Sequence, residues 1–245
     1  MEHLSDISTL PPSDAKKKEC KRQLKKLRKK LFDLQNKFYA DGRQSLLIVL
    51  QGLDTSGKDG IVRHVIRAMN PMGVNIKAFQ KPTEEERKHD FLWRIYPHLP
   101  TKGMMQVFNR SHYEDVIVPT ATQSLPKERI EYRLQLINRL ERHFIRNDTH
   151  ILKFFLHISK EEQKKKIENR LKKPHKRWKY DKSDEKVNQR WGDYVNIYDE
   201  VITKSNDVPW HIIPVDKRWY RNYKVAQILV DYLEDMDLRY PSISF

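Results

Sequence analysis

The chain has 245 residues, with 48 lysines and arginines against 33 aspartates and glutamates, a formal net charge of +15. That length suits one α/β domain with a small insertion, and 38% hydrophobic residues exclude global disorder. A single cysteine, Cys20, excludes an intrachain disulfide or a cysteine-rich zinc site and points to a reducing compartment, the cytoplasm.

The opening MEHLSDISTLPPSD lacks the charged-then-apolar pattern of a secretory leader and reads as an irregular arm through Pro11 and Pro12. From Asp14 to about Tyr39, Leu24, Leu27, Leu31 and Leu34 recur at helical spacing inside a lysine-rich run. This basic amphipathic helix either binds a polyanion or a neighbouring subunit, or packs by its leucines as a solvated helix. Residues 1–40 form one expected unit and 41–245 the other.

Apolar runs then alternate with helical patterns. Residues 45–52, 74–80, 104–109, 151–159 and 210–215 read as strands, and 58–70, 84–96, 126–146, 160–173 and 219–238 as helices. Such alternation predicts an α/β fold with a five-stranded parallel sheet covered on both faces. LLIVL at 46–50, the most apolar stretch, suits a strand buried on both sides and is too short to span a bilayer. Pro174 stops one helix, and a second is expected from the Ser183-Asp184 cap to about Thr203. Two helices joined by a basic, aromatic tip predict a lid over residues 170–205.

The strongest motif is Gly52-Leu-Asp54-Thr55-Ser56-Gly57-Lys58-Asp59-Gly60, placed after a buried strand and at the start of a helix. Glycines there let successive N–H groups turn toward phosphate oxygens, the helix N-terminus adds positive character, and Lys58 reaches the reacting phosphate. Asp59 stands where Ser or Thr ordinarily holds Mg²⁺. Asp54 puts a carboxylate beside phosphates, which repel it unless a cation lies between, so it reads as a metal ligand or an orienter of the attacking group. The alternative is an Asx turn.

A second acidic segment follows the strand at 104–109. Asn109 occupies the place of the usual acidic residue, Arg110 sits at a strand's C-terminal end where open α/β sheets bind ligands, and Glu114 or Asp115 can restore the missing charge for a metal. A guanidinium at Arg110 suits a phosphoryl group in transfer. His112 invites a phosphohistidine, but a lone histidine there is more often a packing residue.

Together these residues resemble the polyphosphate kinase 2 family. The likeness rests on GLDTSGKDG, on Asn109-Arg110-Ser111-His112-Tyr113, on Lys176-Arg177-Trp178-Lys179 with Arg190-Trp191-x-Asp193-Tyr194, and on Pro209-Trp210 through Pro214-x-Asp216-Lys217-Arg218. It spans about residues 20–240. The asparagine of NRSHYED resembles the branch acting on both nucleoside mono- and diphosphates.

The resemblance implies a three-layer P-loop kinase fold with a basic polyphosphate channel across the loop. It also implies Mg²⁺ (with Mn²⁺ able to substitute), homo-oligomers, and ADP, ATP and AMP held under the lid. Lys58, Arg63, Arg67, Lys77 and Lys81 can form one wall of the channel. Lys176, Arg177 and Arg190 can close over the anions, while Trp178 or Trp191 either contacts a base or packs the lid. The rivals are an ATP-dependent nucleotide kinase of the thymidylate kinase type and a basic nucleic-acid-binding protein. Asp54, Asp59 and the charge excess weigh against the first, and the second leaves the P-loop and lid without a role.

Overall fold

A computed structural model describes residues 2–242. Met1 and residues 243–245, the outer ends of the two expected units, lie outside the described residues. Five strands form one sheet in the order β2-β3-β1-β4-β5: β1 is Ser45–Gln51, β2 Val74–Ala78, β3 Met105–Asn109, β4 Thr149–His157 and β5 Trp210–Pro214. All four ladders are parallel. β1 is central and fully buried along its length, which is why its sequence is continuously apolar rather than alternating.

The helices are α1 (Lys17–Asp41), α2 (Lys58–His64), α3 (Glu84–Lys88), α4 (Glu114–Thr122), α5 (Lys127–Arg146), α6 (Lys160–Lys172), α7 (Lys182–Gln189), α8 (Trp191–Lys204) and α9 (Arg218–Asp235). α9 packs on α1 and α2, and α4 packs on α5 and α8. Leu24, Leu31 and Phe38 of α1 are buried in the same core as β1, so the basic helix is seated by its apolar stripe. The N-terminal arm is tied down as well. Leu4 N–H donates to Asp199 at 2.8 Å, Thr9 Oγ1 donates to Asp216 at 2.9 Å, and Ile7 O lies 3.1 Å from His157 Nε2.

Three helices differ from expectation. The run 84–96 is helical only over Glu84–Lys88, because Asp90 turns its carboxylate onto Leu92 N–H at 2.9 Å and Arg94 reaches back to Gln80 O at 2.8 Å. The run 58–70 stops at His64, whose carbonyl accepts from Arg28 Nε at 2.6 Å, and resumes as a 3₁₀ turn at Ile66–Ala68. The lid's second helix begins one cap earlier than expected. Asp181, not Ser183-Asp184, caps α7 by accepting from Ser183 N–H at 2.8 Å. It then breaks at Arg190, whose guanidinium donates to Ala121 O at 2.8 Å and to Asp193.

Leu31 is fully buried between α1 and the core. Leu31→Ala is expected to lower unfolding free energy by about 2–5 kcal/mol in a urea titration, the range for a large-to-small core change. A loss below about 0.5 kcal/mol, the size of an ordinary surface substitution, would mean that α1 is not part of the core.

Candidate active site at the phosphate-binding loop

The loop leaves the C-terminal end of the central strand and turns into α2, with β3 and β4 on either side. This is the edge at which open α/β sheets hold ligands. Gly57 has φ 107°, and a Cβ there would lie 1.8 Å from Arg221 Nη1; one on Gly60 would lie 2.4 Å from Nη2. The loop therefore needs both glycines because a guanidinium from α9 sits against it. Arg221 is buried and, among the described residues, donates only to Asn222 Oδ1 (3.1 and 2.8 Å) and has no carboxylate partner. Burial, and then neighbouring Arg218, bring its pKa down to about 10.

Inside the loop, Lys58 donates to its own carbonyls, Gly52 O at 2.6 Å and Leu53 O at 3.2 Å. Burial and the charge of Arg110 lower its pKa. Asp54 forms an ion pair with Arg110, and its main-chain oxygen accepts from Gln163 Nε2 at 3.1 Å. Burial alone would raise the Asp54 carboxyl, but Arg110 and Lys58 hold it below its ordinary value. Thr55 and Arg110, neither of them glycine, lie in the left-handed region at φ 65° and 63°. Strained residues of that kind collect at functional sites because surrounding contacts must fix them.

Glu114 is drawn into the same group. Its Oε1 accepts from Gln51 Nε2 at 3.2 Å, and burial raises its carboxyl against the pull of Arg110 and Lys58. Asp115 points elsewhere, toward Arg94 and Arg133, and burial raises it to about 6. Asp59 is held from two sides, by Asn109 Nδ2 at 3.0 Å and by the lid's Lys179 Nζ at 2.6 Å. P-loop, strand-end motif and lid thus meet at one carboxylate. Gln51 Oε1, Thr55 Oγ1 and Ser56 Oγ are buried without a hydrogen-bond partner among the described residues.

The other expected residues scatter. Lys77 lies over the Phe79 ring on the edge strand, and Lys81 faces the lid's Asp181. Arg67 is exposed on the 3₁₀ turn after α2. Trp178 is 78% exposed with its Nε1–H on His175 O, while Trp191 donates to Ile158 O and packs the lid. Arg177 donates to Leu171 O within the lid, and Arg190 to Ala121 O near the end of α4. His112 is fully buried beside Glu141, a packing position.

Residues 14–241 match the family model described as polyphosphate kinase 2. The chain belongs to the polyphosphate kinase 2 family. It is 42% identical over 217 residues to an AMP/ADP-polyphosphate phosphotransferase of Meiothermus ruber, covering 88% of this chain and 81% of that protein. An ADP-polyphosphate phosphotransferase of Rhodopseudomonas palustris is 38% identical over 226 residues, 86% of this chain and 78% of that one. The crystal structure of polyphosphate kinase 2 from Arthrobacter aurescens TC1 superposes with a TM-score of 0.95 at 38% identity, covering all of this chain and 89% of that one. As a member of the family, the chain is an enzyme with the P-loop kinase fold.

Four residues around the loop escape a reading by motif: Gln163, Lys166 and Arg170 on α6, and Arg221 on α9. Arg170 pairs with the lid's Asp184 and helps to lower Asp54. Lys166 Nζ is buried with no hydrogen-bond partner among the described residues, 3.7 Å from Glu162, and burial lowers its pKa to about 8. Each sits on an amphipathic helix where a charged residue is unremarkable. The only sequence signal is their closeness to EEQ and to the K-R-x-x-R run.

Because Arg221 is buried and held by Asn222, a methyl group on Gly60 has to displace it or the loop. Gly60→Ala is expected to slow turnover about tenfold or more, since small misplacements of positioning groups cost that much. Unchanged kcat and KM would show that the contact is slack.

Proposed function

We propose that this chain transfers phosphoryl groups reversibly between inorganic polyphosphate and ADP or AMP, with Mg²⁺, and works as a cytoplasmic homo-oligomer. The observation that carries the reading is a run of cations around the loop with few acids among them. Arg28, Arg63, Arg218 and Arg221 all press on His64, lowering its pKa after burial. Lys173, Arg218, Arg63 and Arg170 press on Lys176 in the same way. Like charges gathered in excess of their acids repel one another and destabilise the free protein, and a polyanion relieves that repulsion. This track runs over α2, α6, α9 and the lid root, so Arg63 and Lys176 belong to it and Lys77 does not.

In this reading the loop N–H groups and Lys58 hold the phosphate that is transferred. Lys58 exchanges its loop carbonyls for phosphate oxygens. Arg110 faces both Asp54 and the anion, so it can neutralise charge that spreads over the phosphoryl oxygens during transfer. Lys179 on Asp59 draws the lid over the loop and excludes water.

Among the described residues no three His, Cys, Asp or Glu side chains converge as a metal cage. The donors present nevertheless suit a hard cation that takes its remaining ligands from phosphate: the carboxylates of Asp54 and Glu114 and the partnerless Gln51 oxygen. Asp54 and Glu114 would hold the Mg²⁺, and Asp115 would not. When bound, the ion offsets the repulsion between donor and acceptor phosphates. No helix among the described residues is long and apolar enough to cross a membrane.

Purified protein is expected to make ATP from ADP, long-chain polyphosphate and Mg²⁺ in a ³¹P NMR assay, and EDTA to stop it. If ATP with AMP reacts well but polyphosphate does not, the thymidylate-kinase-like reading holds instead.

Lys166 gives the reaction a pH dependence. Below about pH 8 its ammonium is charged and attracts the donor; as pH rises through that value the attraction is lost. The KM for polyphosphate is therefore expected to climb through about pH 8, and Lys166→Met to start higher at pH 7 and lack the step. A step unchanged in the variant would remove Lys166 from the donor site.

A further inference from the structure

Lys153 stands in the middle of β4, between Ile151-Leu152 and Phe154-Phe155-Leu156, and is fully buried. Its ammonium donates to Glu141 Oε2 at 2.7 Å, to the Ser205 carbonyl at 2.7 Å and to the Tyr113 hydroxyl at 2.9 Å. The Tyr113 hydroxyl in turn donates to Glu141 Oε1 at 2.8 Å, and His112 Nε2 lies 3.6 Å from the same oxygen. Trp210 closes the group: its ring lies 4.8 Å from the ammonium, and its Nε1–H donates to Ser205 Oγ at 3.0 Å. Burial alone would raise the Glu141 carboxyl, yet His112 and Lys153 bring it below its ordinary value.

A buried ion pair is seldom more stabilising than apolar side chains of the same size. The places of its partners in the chain suggest what else it does. Tyr113 comes directly before Glu114 and three residues after Arg110, whose backbone is held at φ 63°. Tyr113 N–H also donates to the Ser111 hydroxyl oxygen at 3.2 Å, so the turn is pinned from within and from below. Ser205 ends α8, the helix that carries the lid back to the sheet. One ammonium therefore joins the turn bearing Arg110 to the foot of the lid.

We propose that Glu141 and Lys153 are positioning residues for phosphoryl transfer, which clamp the Arg110–Tyr113 turn against the foot of α8. They touch no substrate and act through Arg110 and the lid. The proposal rests on the function inferred above, and its test carries a readout independent of turnover.

Lys153→Met alone strands the Glu141 carboxylate and is expected to lower both Tm and kcat. Adding Glu141→Leu removes the stranded charge and is expected to return Tm close to the wild-type value. In that double variant kcat should stay about tenfold to a hundredfold low, with each KM changed less than about threefold. Trypsin should cut its lid at least about threefold faster than in the wild type, because local opening rises when a clamp is lost. On an Arg110→Ala background the pair should matter less than about twofold, since residues acting through one another are not additive.

Recovery of kcat together with Tm would make the pair merely structural and overturn the proposal. So would a further tenfold loss on the Arg110→Ala background. If the double variant does not fold, Tyr113→Phe cuts the link while keeping the ring, and a wild-type kcat there overturns the clamp. Should the wild type transfer no phosphoryl group, the proposed function falls, and unchanged lid cleavage in the double variant would still overturn the clamp by itself.

Discussion

A carboxylate inside a phosphate cradle is tolerable only with a cation against it, and the Asp54–Arg110 pair meets that condition. The pair joins the loop after β1 to the turn after β3, two neighbouring strands of the sheet. Much of the surrounding architecture serves this pairing. Arg110 holds a strained backbone to reach the loop, Gln163 ties the Asp54 carbonyl from α6, and Glu114 is buried alongside at the start of α4. A second carboxylate, Asp59, repeats the arrangement with Lys179 from the lid and Asn109 from β3. The loop thus carries two acids, each with its own cation, in a place where most phosphate-binding loops have none.

The remaining cations are arranged differently. Exposed pairs such as Arg22–Glu19 and Lys88–Glu85 are local to one helix and contribute little. Around α2, α6 and α9, by contrast, Arg221 is largely buried with no carboxylate partner among the described residues, Lys166 is largely buried with Glu162 no nearer than 3.7 Å, and both have lowered pKa values. Leaving buried cations unpaired costs stability, which makes sense where the ligand itself brings the negative charge. Overall charge of +15 hinted at a polyanion, but the fold decides which positive groups face it.

The strands and the loop were legible because their signals are local. β1, β3 and β5 fall within a residue or two of the runs read from sequence, and Lys58 opens α2 as the motif requires. Family membership followed from several motifs that the chain brings together. What the sequence hid depends on partners far along the chain. Helix 84–96 fails because Asp90 and Arg94 find other bonds, and the lid helix breaks where Arg190 meets Ala121. Arg221 could not be found from the loop, since it lies more than 150 residues after Gly57 and meets it only in the fold. Asp115 and Glu114 are adjacent in sequence, yet the rotation of about 100° between successive helical residues sends them to different surroundings.

Asp54 serves the loop by its charge rather than by its shape. Asparagine forms the same Asx turn and keeps the size and hydrogen bonding, but it pairs poorly with Arg110 and is a weak ligand for a hard cation. The most direct measurement is kcat of Asp54→Asn across a Mg²⁺ titration, with Tm recorded beside it. We expect turnover to fall about a hundredfold or more, as for loss of a central electrostatic group, with Tm nearly unchanged and partial recovery at high Mg²⁺ or with Mn²⁺. Wild-type turnover at low Mg²⁺ would contradict the account and leave the carboxylate a structural part of the loop.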